Sequence, residues 1–349
     1  MPPRTRVSRM VPDPVRRALW NDAEARPRMP VRLTLAVAVF LVVAIGVSLA
    51  AGILPLPVPG GSAALVGVGA ASLAVTVLGC VVAARVVDRR PLTDYGLRID
   101  REWWIDCGFG LALGAVLQAG IFLAGWAAGW YVPRGTLVSR SGESFLLGLA
   151  GVIAFFLAVG VYEELLVRGW LLTNLAEGFR VVGDRLAAAL ATVLSAGVFG
   201  VLHATNPNAT ALSTTIIGLA GVFLALGYLL TGELAIPIGV HVTWNLTQGA
   251  VFGFGVSGVS LPVTVVETQV VGPSVLTGGQ FGPEGGVLGL GGVILGCVAI
   301  AWWVRRRTGR LRLHPAVTAP ELLDDGVEGS DDEDGEGEES DDGSDVEVA

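Results

Sequence analysis

Residues 145–168, FLLGLAGVIAFFLAVGVYEELLVR, decide the fold class. Eighteen uncharged residues run from Phe145 to Tyr162 and then meet two carboxylates and an arginine. A membrane-spanning helix needs about 20 mostly apolar residues, so this stretch is a span that ends in charge. Working outward, windows of similar character lie at 31–54, 62–87, 103–132, 145–174, 186–203, 211–231, 235–254 and 287–304. The breakers agree with them: LPLPVPGG at 54–61, NPN at 206–208 and TGE at 231–233. The expected fold is therefore all-α, a polytopic membrane helical bundle of about eight transmembrane helices.

Composition excludes the main alternative. The chain of 349 residues is 52% hydrophobic and only 15% charged, whereas soluble globular proteins carry about 25% charged residues. A water-soluble enzyme with one core is ruled out. Cys80, Cys107 and Cys297 are isolated in or beside apolar runs and form no C-x-x-C pair, so neither a disulfide framework nor a thiolate metal site is expected.

All 23 basic residues are arginine, and 15 of the 31 acids fall in residues 321–349. Arginine without lysine beside an acidic tail fits a salt-rich cytoplasm or a GC-rich genome and carries no catalytic information. The position of the arginines is more useful, because loops rich in positive charge stay cytoplasmic. Eight arginines lie at or before the start of the first span, five at 85–101, two at 180 and 185, and five at 305–312. The other side has only Arg134 and Arg140. An integral protein of the cell membrane with both termini in the cytoplasm follows. The expected organisation is a cytoplasmic Arg/Pro-rich segment at 1–30, a transmembrane helical domain at 31–304, and a basic then acidic disordered cytoplasmic tail at 305–349. The first span reads as an anchor, since the segment before it is too long and broken for the n-region of a cleaved signal.

Ionisable groups in hydrocarbon are costly and mark function or fastening. Three stretches hold them. In Tyr162-Glu163-Glu164-Leu-Leu-Val-Arg168, Glu164 and Arg168 are four apart and share a helical face, so they can neutralise each other. Glu163 points about 100° away and lacks that partner. Such a carboxylate suits a group that takes a proton from water and later returns it, or the cluster is an ion-pair lock between helices. Phe199 and His203 are also one turn apart, ahead of the Asn206-Pro207-Asn208 break; a histidine there is either a packing residue or a partner of the glutamates. His241 and Asn245 form a third i, i+4 pair that could aim two donors at one oxygen, or clamp two helices.

E-E-x-x-x-R, F-x-x-x-H and H-x-x-x-N, in this order on separate spans, resemble the CPBP family of CAAX proteases and bacteriocin-processing enzymes, also called Abi proteins. The likeness covers about residues 91–255 and includes Pro91–Leu97 and the Thr231–Pro237 stretch. It implies an intramembrane endopeptidase acting on membrane-associated peptide or protein substrates, CAAX-type prenylated or leader-peptide-like, with the lipid bilayer as surroundings and no nucleic acid partner. It also implies roles: Glu163 as general base on a water, His203 holding that water, His241 with Asn245 as the oxyanion hole, and Glu164, Arg168 and Phe199 as support. Members have been described both as metalloproteases and as glutamate-type enzymes. No cofactor is therefore required, and a zinc ion would take Glu163, His203 and His241 as ligands. Some members act as regulators or scaffolds.

Among rival readings, Gly255-Val-Ser257-Gly258 has the look of a rhomboid nucleophile, but the serine follows the histidine instead of preceding it. No aspartate lies well inside a span, which disfavours an aspartyl protease. A proton-coupled carrier using the buried Glu, His and Arg as a relay, or a non-catalytic scaffold, remains from other classes. Counting along the spans puts His203 and His241 at different depths; if they converge, either the hairpin between spans four and five projects into the cytoplasm or 232–237 does not mark the membrane edge. A converged site is expected nearer the cytoplasmic face, open to water from that side.

Overall fold

The computed structural model describes residues 13–53 and 61–323; the disorder expected of the acidic tail beyond 323 lies outside the described residues. In chain order the helices are α1 (Asp13–Leu19), α2 (Met29–Ile53), α3 (Gly61–Val82), α4 (Arg101–Ala127), α5 (Phe145–Glu164), α6 (Thr173–Gly178), α7 (Asp184–Leu202), α8 (Ala211–Thr231), α9 (Ala235–Leu246), α10 (Ser274–Thr277) and α11 (Val287–Thr308). The strands are β1 (Trp20–Asn21), β2 (Arg26–Pro27), β3 (Tyr131–Ser139) and β4 (Val263–Val270). The result is a polytopic helical membrane bundle.

Among the described residues, seven helices are long and apolar enough to cross a membrane. The eighth expected span is different. α9 has 12 residues and is prolonged by a π-helical stretch only to Val251, which gives a rod of roughly 25 Å against a hydrocarbon core of about 30 Å. Protein surrounds it instead of lipid: Ala235 to Val242 are all buried. The outer helices show the opposite pattern, with Val42, Leu146, Val193 and Leu295 exposed, as a lipid-facing surface requires.

Lipid tails are as apolar as leucine, so helices in a bilayer associate by close packing at small residues. α4 and α9 meet this way. A Cβ on Gly110 would lie 2.5 Å from the Ile236 carbonyl oxygen, and one on Gly114 would lie 2.5 Å from that of Val240. α7 and α8 repeat the device at Gly200, whose Cβ would lie 2.8 Å from the Thr214 carbonyl oxygen.

The helix that begins at Phe145 does not stop at the charges. It continues through a π-helical stretch, Leu165–Leu172, into α6, forming one rod of 34 residues, roughly 50 Å long. Its far end and the start of α7 therefore project beyond the neighbouring turn at Leu234, which resolves the mismatch in depth between the two histidines. His203 follows 19 residues of α7, or roughly 28 Å, whereas His241 is only about 9 Å into α9. A buried charge network holds the projecting hairpin: Glu177 receives Arg26, Arg32 and Arg90. Asp88 beside it accepts from Tyr95 Oη at 2.5 Å and Asn174 Nδ2 at 3.1 Å.

One expectation needs correction. Residues 305–323, assigned to a disordered tail, instead complete α11 and fold back over the arginine-rich ends of the bundle. The His314 N–H donates to the Leu229 carbonyl at 2.8 Å, the Leu323 N–H donates to Arg89 at 2.8 Å, and Val317 is fully buried. Charge drew the disorder reading, but His314 to Leu323 carry enough apolar and backbone groups to dock. Beside the helices, one short ribbon is present: β3 and β4 pair antiparallel from Tyr131↔Val270 to Ser139↔Val263. The alternation in VTVVETQV was the available signal.

Candidate functional site

The three polar stretches meet. Glu164 is fully buried, and its Oε1 accepts from Arg168 Nη1 at 2.9 Å and from His241 Nδ1 at 2.7 Å. Arg168, also fully buried, gives a second bond to the Gly221 carbonyl at 3.2 Å and lies over the Phe199 ring, 4.4 Å from its centroid. Phe199 in turn separates the two imidazoles, with ring centroids 4.7 Å from His203 and 6.3 Å from His241. Three helices are thereby fastened around one carboxylate.

Glu163 faces elsewhere, as its 100° offset requires. Its Oε1 accepts from Tyr162 Oη at 3.2 Å. Its Oε2 is buried with no hydrogen-bond partner in the protein and lies 3.8 Å from His241 Nε2. That gap is too long for a direct hydrogen bond. It does let one water touch both atoms, with two bonds of about 2.8 Å meeting at roughly 85°. His203 is held by Nδ1 on the Phe199 carbonyl at 2.8 Å, leaving Nε2 for the pocket.

Glu163, His203, His241 and Asn245 all line one pocket of about 170 Å³. Its walls are apolar, from Phe155, Phe156, Ile217, Phe223 and Trp244. Glu164 and Arg168 are not in the wall; they close the floor behind His241. Deeper lining comes from the bodies of α5, α8 and α9, at Val159, Tyr162, Ala220, Leu224 and Val240, while the rim comes from the segments 203–210 and 252–286, at Asn206, Ser257 and Glu284. The pocket thus lies on the side away from the arginine-rich ends, not on the side expected from counting residues along the spans.

Sequence reasoning missed Glu284. It is buried, accepts from the Ser257 N–H at 2.5 Å and Ser257 Oγ at 2.9 Å, and shares the pocket with both histidines. Burial pushes its carboxyl up, against the lowering effect of the Ser257 bonds and of His203. The signal was a lone acid in the glycine-rich stretch 278–286, where no role could be derived. Ser257 itself adopts a left-handed backbone (φ +48°), a strained state for a residue with a side chain.

The zinc arrangement does not fit. Among the described residues no group of three His, Cys, Asp or Glu converges to hold a metal ion.

Residues 145–247 match the family model described as type II CAAX prenyl endopeptidase Rce1-like. The match covers α5 to α9, the elements that carry all three polar stretches, and supports a likeness to the CAAX intramembrane protease family on that segment. No curated protein and no solved structure matches it. With seven apolar helices, it is an integral membrane protein.

Proposed function

We propose that this chain is an intramembrane endopeptidase in which Glu163 activates a water. The observation that carries the reading is the pairing of a buried, unpartnered Glu163 Oε2 with His241 Nε2 at 3.8 Å, at the wall of an apolar pocket. A water bound there gives its proton to Glu163 as its oxygen attacks the substrate carbonyl carbon. His203 Nε2 holds the same water. The tetrahedral oxyanion takes hydrogen bonds from the Asn245 amide and from His241, whose protonated ring presents Nε2–H while Nδ1–H stays on Glu164. Collapse breaks the C–N bond, and Glu163 returns the proton to the leaving amine. No step requires a covalent nucleophile or a bound ion.

Glu164, Arg168 and Phe199 act through position. Their burial favours the fastening reading for these three alone, because an i, i+4 ion pair with no exposed atoms orients its neighbours and touches no substrate. Family likeness supports peptide or protein substrates held at the bilayer, and the distribution of arginine supports a cell-membrane location with cytoplasmic termini.

The test compares membrane peptides from cells carrying the native chain with those carrying Glu163→Gln at equal abundance. Accumulation of an uncut precursor is expected. Identical peptide profiles would refute the assignment and leave the scaffold reading.

A further inference from the structure

Arginine placement and pocket placement, each clear on its own, point to opposite ends of the molecule. Among the described residues, the arginines of α1, β2, the 85–101 segment, the 180–185 turn and 305–312 all sit at the ends of the bundle where α5–α6 joins α7 and α8 joins α9. Arg134 sits on β3 and Arg140 directly follows it, at the other end with β4. Short loops rich in arginine remain in the cytoplasm. The end bearing β3, β4 and the segments 203–210 and 252–286 is therefore extracytoplasmic.

The pocket belongs to that end. His203 follows the last residue of α7, Asn206 lies in the following turn, and Ser257 and Glu284 come from the connection between α9 and α11. Toward the cytoplasm the path is shut. Glu164 and Arg168 are fully buried beneath His241, with Trp170 and Leu172 packed below them. Toward the outside the rim is accessible, with Thr205, Val259 and Ser260 exposed. Wall chemistry narrows the occupant further: two carboxylates, Glu163 and Glu284, stand among aromatic side chains, and no arginine lines the cavity. His241, the one ring protonated in the mechanism, is already paired with Glu164, so a free C-terminal carboxylate finds no spare cation there, whereas the apolar wall suits an uncharged stretch of chain.

We propose that the catalytic pocket is served from the extracytoplasmic side, and that its substrates are exported or membrane-anchored polypeptides cut at an apolar segment lying in the outer half of the bilayer, not proteins lipidated at a cytoplasmic C-terminus. The substrate half rests on the endopeptidase reading above; the sidedness does not. Wall and floor together explain why one direction is usable: a peptide coming from the cytoplasm would have to displace a fully buried ion pair, while one coming from outside meets an apolar cleft ending at Glu163.

Sidedness is tested on the full chain in cells by labelling with a membrane-impermeant maleimide. Thr205→Cys reports the rim of the pocket, and Val181→Cys, 92% exposed in the native chain, reports the arginine-rich end. The native chain, whose Cys80 and Cys107 are buried and Cys297 half-buried, gives the background. Ser260→Cys and Arg310→Cys, both at exposed positions, repeat the comparison should either first variant fail to accumulate. The expected result is labelling of the first position in intact cells and of the second only after permeabilisation. The reverse, or equal labelling of both in intact cells, overturns the proposal. The substrate half is read from precursors that accumulate with Glu163→Gln: uncut chains carrying an export signal or anchor and shaved by protease added to intact cells support it. Accumulated cytoplasmic proteins with lipidated C-termini overturn it even if the labelling holds. Expected labelling with no precursor at all overturns the endopeptidase reading and the substrate half with it, and leaves sidedness standing.

Discussion

Adjacent glutamates with opposite jobs give the sharpest prediction. Glu164 Oε1 accepts both Arg168 at 2.9 Å and His241 at 2.7 Å with no exposure. Glu164→Gln keeps the shape and an amide oxygen that can accept from Arg168, but it removes the negative charge that compensates this buried cation, whose other contacts are the Gly221 carbonyl and the Phe199 ring. Removing one partner of a buried pair costs about 3–5 kcal/mol. The loss is expected in thermal or denaturant unfolding of the detergent-solubilised protein. Glu163→Gln removes a carboxylate that has one 3.2 Å bond from Tyr162 and an unpartnered Oε2. A stability change within about 1 kcal/mol is expected, with cleavage lowered by the roughly 10²–10⁴-fold that a general base supplies. The double variant Glu164→Gln with Arg168→Met removes the stranded cation and recovers most of the lost stability, since apolar replacement of a buried pair is often neutral or better. It does not recover cleavage, because His241 still lacks its carboxylate. Equal stability of Glu164→Gln and the native chain, or retained cleavage by Glu163→Gln, would refute the division of labour.

The other expectations concern the frame around this pair. Gly114→Val places a Cβ 2.4 Å from Thr243 Oγ1 and 2.5 Å from the Val240 carbonyl oxygen, so α4 and α9 must part. Overpacking of this kind costs about 1–3 kcal/mol, and cleavage should fall more than unfolding temperature does as His241 leaves Glu163. Glu284→Ala strands the Ser257 N–H and hydroxyl and should lower stability by about 1–3 kcal/mol, whereas Glu284→Gln keeps an acceptor and should lose less in the same melt. At the arginine-rich end, burial pushes Glu233 up to about 7, against the Arg98 N–H and guanidinium, and Asp94 up to about 6, against Arg90. Both bind protons more tightly folded than unfolded, so their contribution is complete below about pH 4 and is lost as pH rises through 6 to 7. The melting temperature should fall between pH 5 and pH 8, and Glu233→Gln should flatten that slope.

What the sequence made legible follows from how steep each physical signal is. Hydrocarbon punishes charge, so seven spans and the three polar interruptions stand out against apolar background. The i, i+4 spacings place Glu164 on Arg168 and Phe199 beside His203 without any knowledge of tertiary structure. Partnerships across helices are not written in spacing. His241 choosing Glu164 over Glu163 depends on where α9 sits along the rod of 34 residues, which it meets closely at Gly160 through Ile238 and Val242, while Gly110, Gly114 and Gly239 set its fit against α4. α9 misleads for a related reason: a helix sheathed in protein need not span the lipid, so window length reports the wrong solvent.

The depth of the site turns on the same point. Counting from the turns assumes that each turn marks a membrane surface, but the α5–α6 rod carries its turn well past the one at Leu234, where Arg26, Arg32 and Arg90 gather on Glu177. Once that projection is allowed, Glu163 falls near the middle of its rod and His203 at the outer end of α7. The ion pair then lies between Glu163 and the arginine-rich end of the bundle. A base placed there can exchange protons and peptide with one side only, the side away from those arginines.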